Sequence, residues 1–278
     1  MTTFSSGKGH KKMPSSNKRC TVLLTFDFDA ESSKEARGNT SPTPMSQGQY
    51  GARVGLPRVL ALLARYDIRA TFFVPGVVVE RYPELVRQIQ ANGHELGHHG
   101  YTHVSPLKLT YEEERAQLEK GFAAFQNVLS VRPKGYRSPA WDLSNNSIAL
   151  FKEFGLEYES SLMGDDFRLY RIGNEDGDTG LVEIPISWLL DDFVHFEIVD
   201  NGAGLASPAK VYEIWVGEFD GAYEEAGVFC LTMHPQVIGR FPRVRMLEQL
   251  IQYMRGHAGV EFMICSEAVA GWRKQNPA

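Results

Sequence analysis

The chain has 278 residues, 43% apolar and 23% charged, with 29 Lys and Arg against 34 Asp and Glu for a formal net charge of −5. A chain of this length and composition buries its own core, which excludes collagen-like, disordered and disulfide-stapled classes. The acidic balance argues against a nucleic-acid or anionic-membrane surface, because phosphate binding needs clustered Lys and Arg.

Residues 1–19 hold the one basic cluster, Lys8 to Arg19, mixed with Gly and Ser, and read as a disordered tail ahead of a catalytic domain over 20–278. They lack the ~7–15-residue apolar stretch of a secretory signal. No run reaches the ~18 apolar residues that span a bilayer. A cytoplasmic protein without membrane insertion is therefore expected. Cys20, Cys230 and Cys265 lie far apart, each within or beside an apolar run, and read as reduced, buried thiols.

Cys20 to Phe26 is apolar throughout, as in a strand covered on both faces. Leu56 to Tyr66 repeats at helical spacing, with Pro57 in its first turn. Ala70 to Val74 is the next strand, and Pro83 to Asn92 a helix ended by Gly93. His94 to Gly97 fits a short strand. Thr110 caps a helix through Val128, with Glu113 completing a capping box. Ser144 opens a helix that ends near Gly155, and Leu181 to Ile186 is a strand, whereas Trp188 to Phe196 fits neither period.

Pro208 to Phe219 reads as helix, Val228 to Met233 as strand and Pro242 to His257 as helix. Val260 to Cys265 is a last strand before a helix to Trp272. Strand and helix alternate from end to end, which selects a parallel α/β architecture, either a barrel or an open doubly wound sheet. No glycine-rich phosphate loop follows the first strand, so a dinucleotide fold is disfavoured.

Four segments carry chemistry. The first strand ends in Thr25-Phe26-Asp27-Phe28-Asp29-Ala30-Glu31, where alternation aims the three acids to one side. A solvated loop would read the same way, but carboxylates at a parallel sheet's carboxyl edge stand where α/β active sites are built. Then His94-Glu-Leu-Gly-His98-His99-Gly-Tyr-Thr-His103 places four of the eight histidines in ten residues. His99 and His103, four apart across Gly100, are spaced to face one point, as metal ligands do.

In Tyr136-Arg137-Ser138-Pro139-Ala140-Trp141, Arg137 can pair with a carboxylate and Trp141 can wall a pocket; a plain turn around Pro139 accounts for the same residues. Finally, His234 ends the Val228 to Met233 strand, and Pro235 stops it there.

Together these segments resemble the polysaccharide deacetylase superfamily, also known by its NodB homology and as carbohydrate esterase family 4. Its motifs are Thr-Phe-Asp-Asp, His-Ser/Thr-x-x-His, Arg-x-Pro-x-Trp/Gly and a late Leu-x-x-His. The resemblance spans roughly residues 20 to 272. It departs where Phe28 separates the two aspartates and where Gly100 replaces the hydroxyl residue. With Tyr50-Gly-Ala-Arg-Val-Gly-Leu-Pro57, Phe73-Val-Pro-Gly76, Ser161-Leu-Met163 and Trp188-Leu-Leu-Asp-Asp192, those departures look like the intracellular peptidoglycan-deacetylase-like branch, akin to cyclic imide hydrolases and allantoinase-like enzymes.

The resemblance implies a distorted, seven-stranded (β/α) barrel of NodB-homology type that hydrolyses a non-peptide carbon–nitrogen bond. Asp29, His99 and His103 would bind zinc, or Co2+, Ni2+ or Mn2+, which polarises the carbonyl and acidifies a water. Asp27 would be the base, oriented by Arg137, and His234 the acid, with a backbone N–H near Tyr136 or Arg137 assisting the oxyanion. Tyr136, Trp141, Trp188 and Asp192 would contact the substrate, a small-molecule or sugar amide, and Tyr50 could also stack on a sugar. No catalytic role falls to Glu31. A homo-oligomer is compatible with all of this. A non-catalytic metal-binding module of the same fold remains an alternative, as does a non-haem iron oxygenase, since two His and one carboxylate also form that facial triad.

Overall fold

The computed structural model describes residues 20–174, 177–197 and 205–277, so the expected tail lies outside the described residues. Among the described residues nine strands form one sheet: β1 (Cys20–Asp27), β2 (Thr71–Val74), β3 (Glu95–His98), β4 (Gly135–Tyr136), β5 (Tyr158–Glu159), β6 (Tyr170–Asn174), β7 (Gly177–Glu183), β8 (Val228–Met233) and β9 (Val260–Phe262). Eight of them run parallel, seven in the order β7-β5-β4-β3-β2-β1-β8 and β9 beside β1. β6 pairs antiparallel with β7 at one edge, and β9 pairs with the first residues of β1.

Beyond β7 the chain returns to β8 at one parallel bridge, Asp191 with Thr232, so the ring is closed by a bridge instead of a strand pair. This is the expected distorted barrel, and its parallel strands differ from the antiparallel jelly roll on which facial-triad oxygenases commonly sit.

Strand alternation decides which side chains enter the barrel. Val22, Leu24, Phe26 and Phe28 pack into the large outer core, while Leu23 joins an inner cluster with Phe73, Tyr158 and Cys230. Counting by twos from Leu23 therefore brings Thr25 and Asp27 to the interior. On β8 the same count from Cys230 brings His234 to the interior, just past the strand's end. Asp27 ends its strand and His234 follows the end of its own, both at the carboxyl end where loops of parallel barrels build sites.

Most elements lie near their predicted bounds, and the capping box of the helix Tyr111–Leu129 forms in full. Cys20, Cys230 and Cys265 are free and buried. Three regions differ. β5 has two residues, too few for any periodicity, and β6 precedes β7 in a hairpin that polar residues conceal. The helix at Leu56 is also not a fresh start. It continues the helix Pro42–Tyr50 through a π turn, Gly51–Gly55. Pro57 has no N–H to give the preceding turn, and the wider turn absorbs that loss. Gly55 is required there, because a Cβ would stand 2.0 Å from the Pro235 carbonyl oxygen.

Candidate active site

The carboxyl ends of β1, β3, β4 and β8 deliver Asp27, Asp29, His99, His103, Arg137 and His234 to one place, all at least nine-tenths buried. His99 Nε2 and His103 Nε2 stand 3.5 Å and 3.4 Å from Asp29 Oδ1. That oxygen is buried and makes no hydrogen bond. His99 Nδ1 meets the Arg137 carbonyl oxygen at 2.7 Å, which takes up the ring's other nitrogen and leaves Nε2 as a lone-pair donor. Burial raises the Asp29 carboxyl, but His103, His234 and His99 outweigh it and hold the group well below the usual carboxylate range. Burial pushes the His99 imidazole down, toward its neutral form.

An orphaned, charged oxygen facing two neutral-capable imidazole nitrogens is a donor set suited to a divalent transition ion. The residues present therefore fit such an ion.

Asp27 borders this cluster. Its Oδ1 accepts from Arg137 Nη1 at 3.0 Å, while Oδ2 lies 3.9 Å from His99 Nε2 and 3.8 Å from His234 Nε2. Arg137 is wholly buried and pinned along its length. It donates to Thr25 Oγ1, to the Ser160 carbonyl and hydroxyl, and to the Cys230 sulfur, with its guanidinium over the Phe73 ring at 4.3 Å. The fork leaves Asp27 one committed oxygen and one free to face the cluster.

His234 also borders the cluster, with Nε2 3.9 Å from Asp29 Oδ2. Asp192 Oδ1 accepts from its Nδ1 at 2.7 Å, and both Asp192 oxygens accept from its backbone N–H at 3.1 Å and 3.0 Å. Burial opposes a charged imidazole, yet Asp192, then Asp191 and Asp29, overcome it and lift His234 to about 10. Asp191, 3.6 Å from His234 Nδ1, is pushed up to about 7, chiefly by burial. Asp191, Asp192 and His234 are a second group close enough to hold an ion.

The backbone is strained around the cluster. Among the described residues seven non-glycine residues have left-handed φ, and three of them, Asp67, Ser130 and Ala226, sit at helix ends. The other four, Ala30, His103, Ala140 and Trp141, all adjoin the site. Each costs of order 1–3 kcal/mol and persists only where surroundings impose it. Gly100, at φ +71, makes the turn between the two histidines without that cost.

Several expected contacts fall elsewhere. Asp192 is fully buried behind His234, on the Nδ1 side, and presents no surface to a substrate. Tyr136 turns outward, stacking on His98 and against Phe151. The Arg137 N–H is already given to the His98 carbonyl, so it is not free for an oxyanion. Glu31 leaves the other acids to accept from the Tyr82 hydroxyl. Tyr50 lies under the Arg240 guanidinium at 3.6 Å and is hydrogen-bonded to the Gly239 carbonyl. Trp141 and Trp188 do meet, with ring centroids 4.4 Å apart, and Trp188 is 48% exposed. Asp191 was overlooked, although it stands beside Asp192 in the sequence and carries the bridge that closes the barrel.

Comparison with known proteins gives the family and the fold. The profile described as "Polysaccharide deacetylase" matches residues 15–159. A peptidoglycan deacetylase of Helicobacter pylori is 33% identical over 266 residues, covering 86% of this chain and 91% of that protein. A Mycobacterium smegmatis crystal structure, described as of the polysaccharide deacetylase type, superposes with a TM-score of 0.86 at 36% identity over 96% of this chain and 94% of the other. The PuuE allantoinase structure shares the fold, with a TM-score of 0.84 at 21% identity over 98% and 96% of the two chains.

Proposed function

The chain belongs to the polysaccharide deacetylase family, hydrolases of non-peptide carbon–nitrogen bonds, and from that premise we propose that it removes the acetyl group from an N-acetylated amino sugar. The observation that carries the reading is the pair of groups bordering the Asp29, His99 and His103 cluster: Asp27 held by Arg137, and His234 held by Asp192.

Asp29, His99 and His103 would hold one divalent ion, zinc by preference. When bound, it draws electron density from the scissile carbonyl and lowers the pKa of a water toward ~7. Asp27 Oδ2 takes the proton of the attacking water, and Arg137 keeps the carboxylate aimed while it does so. His234 Nε2 gives its proton to the amide nitrogen as the carbon–nitrogen bond breaks, since an amide anion cannot leave unprotonated. A pKa near 10 keeps that proton in place at neutral pH. Acetate and a free amine result. The Trp141 and Trp188 rings offer an apolar face to a sugar.

Among the described residues no helix is long and apolar enough to cross a membrane. The test is a side-by-side assay of zinc-loaded protein on N-acetylglucosamine oligomers, succinimide, hydantoin and allantoin. Release of acetate from the oligomers with little turnover of the other three supports the reading. Preference for an imide or ureide overturns it and moves the chain to small-amide hydrolysis.

A further inference from the structure

The loop from His99 to His103 carries two of the three ligands proposed above, and His103 itself is left-handed at φ 61. What holds so strained a loop can be traced bond by bond. Its carbonyls at Gly100 and Tyr101 accept from the Gly76 and Val77 amides at 3.0 Å each. Its Gly100 amide donates to His98 Nδ1 at 3.1 Å. Three further donors of the loop converge on one atom: Gln117 Oε1 accepts from the Tyr101 N–H at 3.2 Å, the Thr102 N–H at 2.9 Å and the Thr102 hydroxyl at 3.0 Å.

Gln117 projects from the helix Tyr111–Leu129, whose Leu118 carbonyl also meets His98 Nε2 at 3.3 Å. One rigid helix thus fixes both the residue before His99 and the two residues before His103. Nothing in the sequence marks Gln117, which stands among polar residues in an ordinary helical run.

We propose that Gln117 is a positioning residue that sets the separation of His99 and His103, so that the two imidazoles are held for a divalent ion before it arrives. The proposal rests on the ligand reading above. Gln117 touches neither imidazole and acts through the backbone beside His103; direct hydrogen-bond partners of metal ligands typically contribute 10–100-fold to binding, and the low end of that range is expected here. Removing the acceptor strands the Tyr101 and Thr102 amides, and the backbone relaxes away from the left-handed turn at His103.

The experiment is zinc titration against a competing chelator, with amide hydrogen exchange of the 99–104 segment in metal-free protein. Gln117→Leu is expected to weaken zinc binding ~10-fold and to speed exchange at Tyr101 and Thr102. Gln117→Glu, which keeps an acceptor at the same reach, should stay within about threefold of the parent. Thr102→Val, which removes one donor of three, should fall between them. Glu119→Gln, on the exposed face of the same helix, is the control and should change nothing.

Parent-like zinc affinity in Gln117→Leu overturns the proposal, as does a loss in Gln117→Glu as large as that in Gln117→Leu. If Gln117→Leu folds poorly, the Thr102→Val and Gln117→Glu comparison decides by itself. His99→Ala, titrated in parallel, separates the two levels: undiminished zinc binding there means that the ligand set is wrong, and the role of Gln117 falls with it.

Discussion

His234 Nδ1 lies 2.7 Å from Asp192 Oδ1, and the same carboxylate accepts the backbone N–H of His234. One buried aspartate therefore fixes the ring's tautomer, its rotation and its charge together. The arrangement points Nε2 toward Asp27 and Asp29 and keeps a proton on it well above neutral pH.

Replacing Asp192 by Asn keeps the shape but removes the charge that lifts His234 to about 10, while the burial that lowers it remains. In the proposed mechanism the protonated ring is the active form, so activity is expected to be lost as pH rises through its pKa. In Asp192→Asn that loss is expected to begin at least about one pH unit lower, the shift that ~1.4 kcal/mol of lost charge interaction produces. A kcat profile whose alkaline limb is unmoved would contradict the role of Asp192.

Asp27 and Asp29 are two residues apart, yet their surroundings predict opposite phenotypes. Asp27→Asn should retain the ion and lose at least ~10²-fold in kcat, the low end for a missing base. Asp29→Asn, by removing the carboxylate charge that faces the two imidazoles, should lose the ion itself. Metal content measured beside turnover for both variants separates the roles, and the reverse pattern would exchange them.

Arg137 should matter for stability as well as rate. Arg137→Met leaves Asp27 buried without its cation, a loss of about 3–5 kcal/mol for breaking one half of a buried pair. Urea unfolding of the ion-free protein reads this directly. A change under ~1 kcal/mol would mean that water or another residue replaces the guanidinium, contrary to the closed packing around it.

Trp188 is half exposed on Trp141, so its removal should cost binding more than chemistry. For Trp188→Ala, KM on an N-acetylglucosamine oligomer is expected to rise about three- to tenfold, the worth of one aromatic contact, with kcat nearly unchanged. An unchanged KM would place the sugar elsewhere.

How much of this was legible in the sequence varies by element. β1 and β8 are long, apolar and bounded by chemistry, so both strands and the residues at their ends could be read directly. The histidine spacing was legible because a Gly-containing turn brings positions four apart together. The two-residue strands β4 and β5 carry no period, and their place comes only from pairing with β3 and β7. Asp192 was misplaced because sequence shows a polar residue near a pocket but not which side of His234 it occupies. Gln117 was invisible, since its three bonds all cross from one element to another.

The central claim is that Asp29, His99 and His103, and no other group, hold the ion around which Asp27 and His234 act. Anomalous diffraction at the zinc edge from crystals grown with one equivalent of zinc tests it most directly, because the Asp191, Asp192 and His234 group offers a rival position. The account predicts a single strong peak bounded by Asp29 Oδ1, His99 Nε2 and His103 Nε2, with His234 still bonded to Asp192. A peak on Asp191, Asp192 and His234 instead would remove the acid from the mechanism and contradict the account.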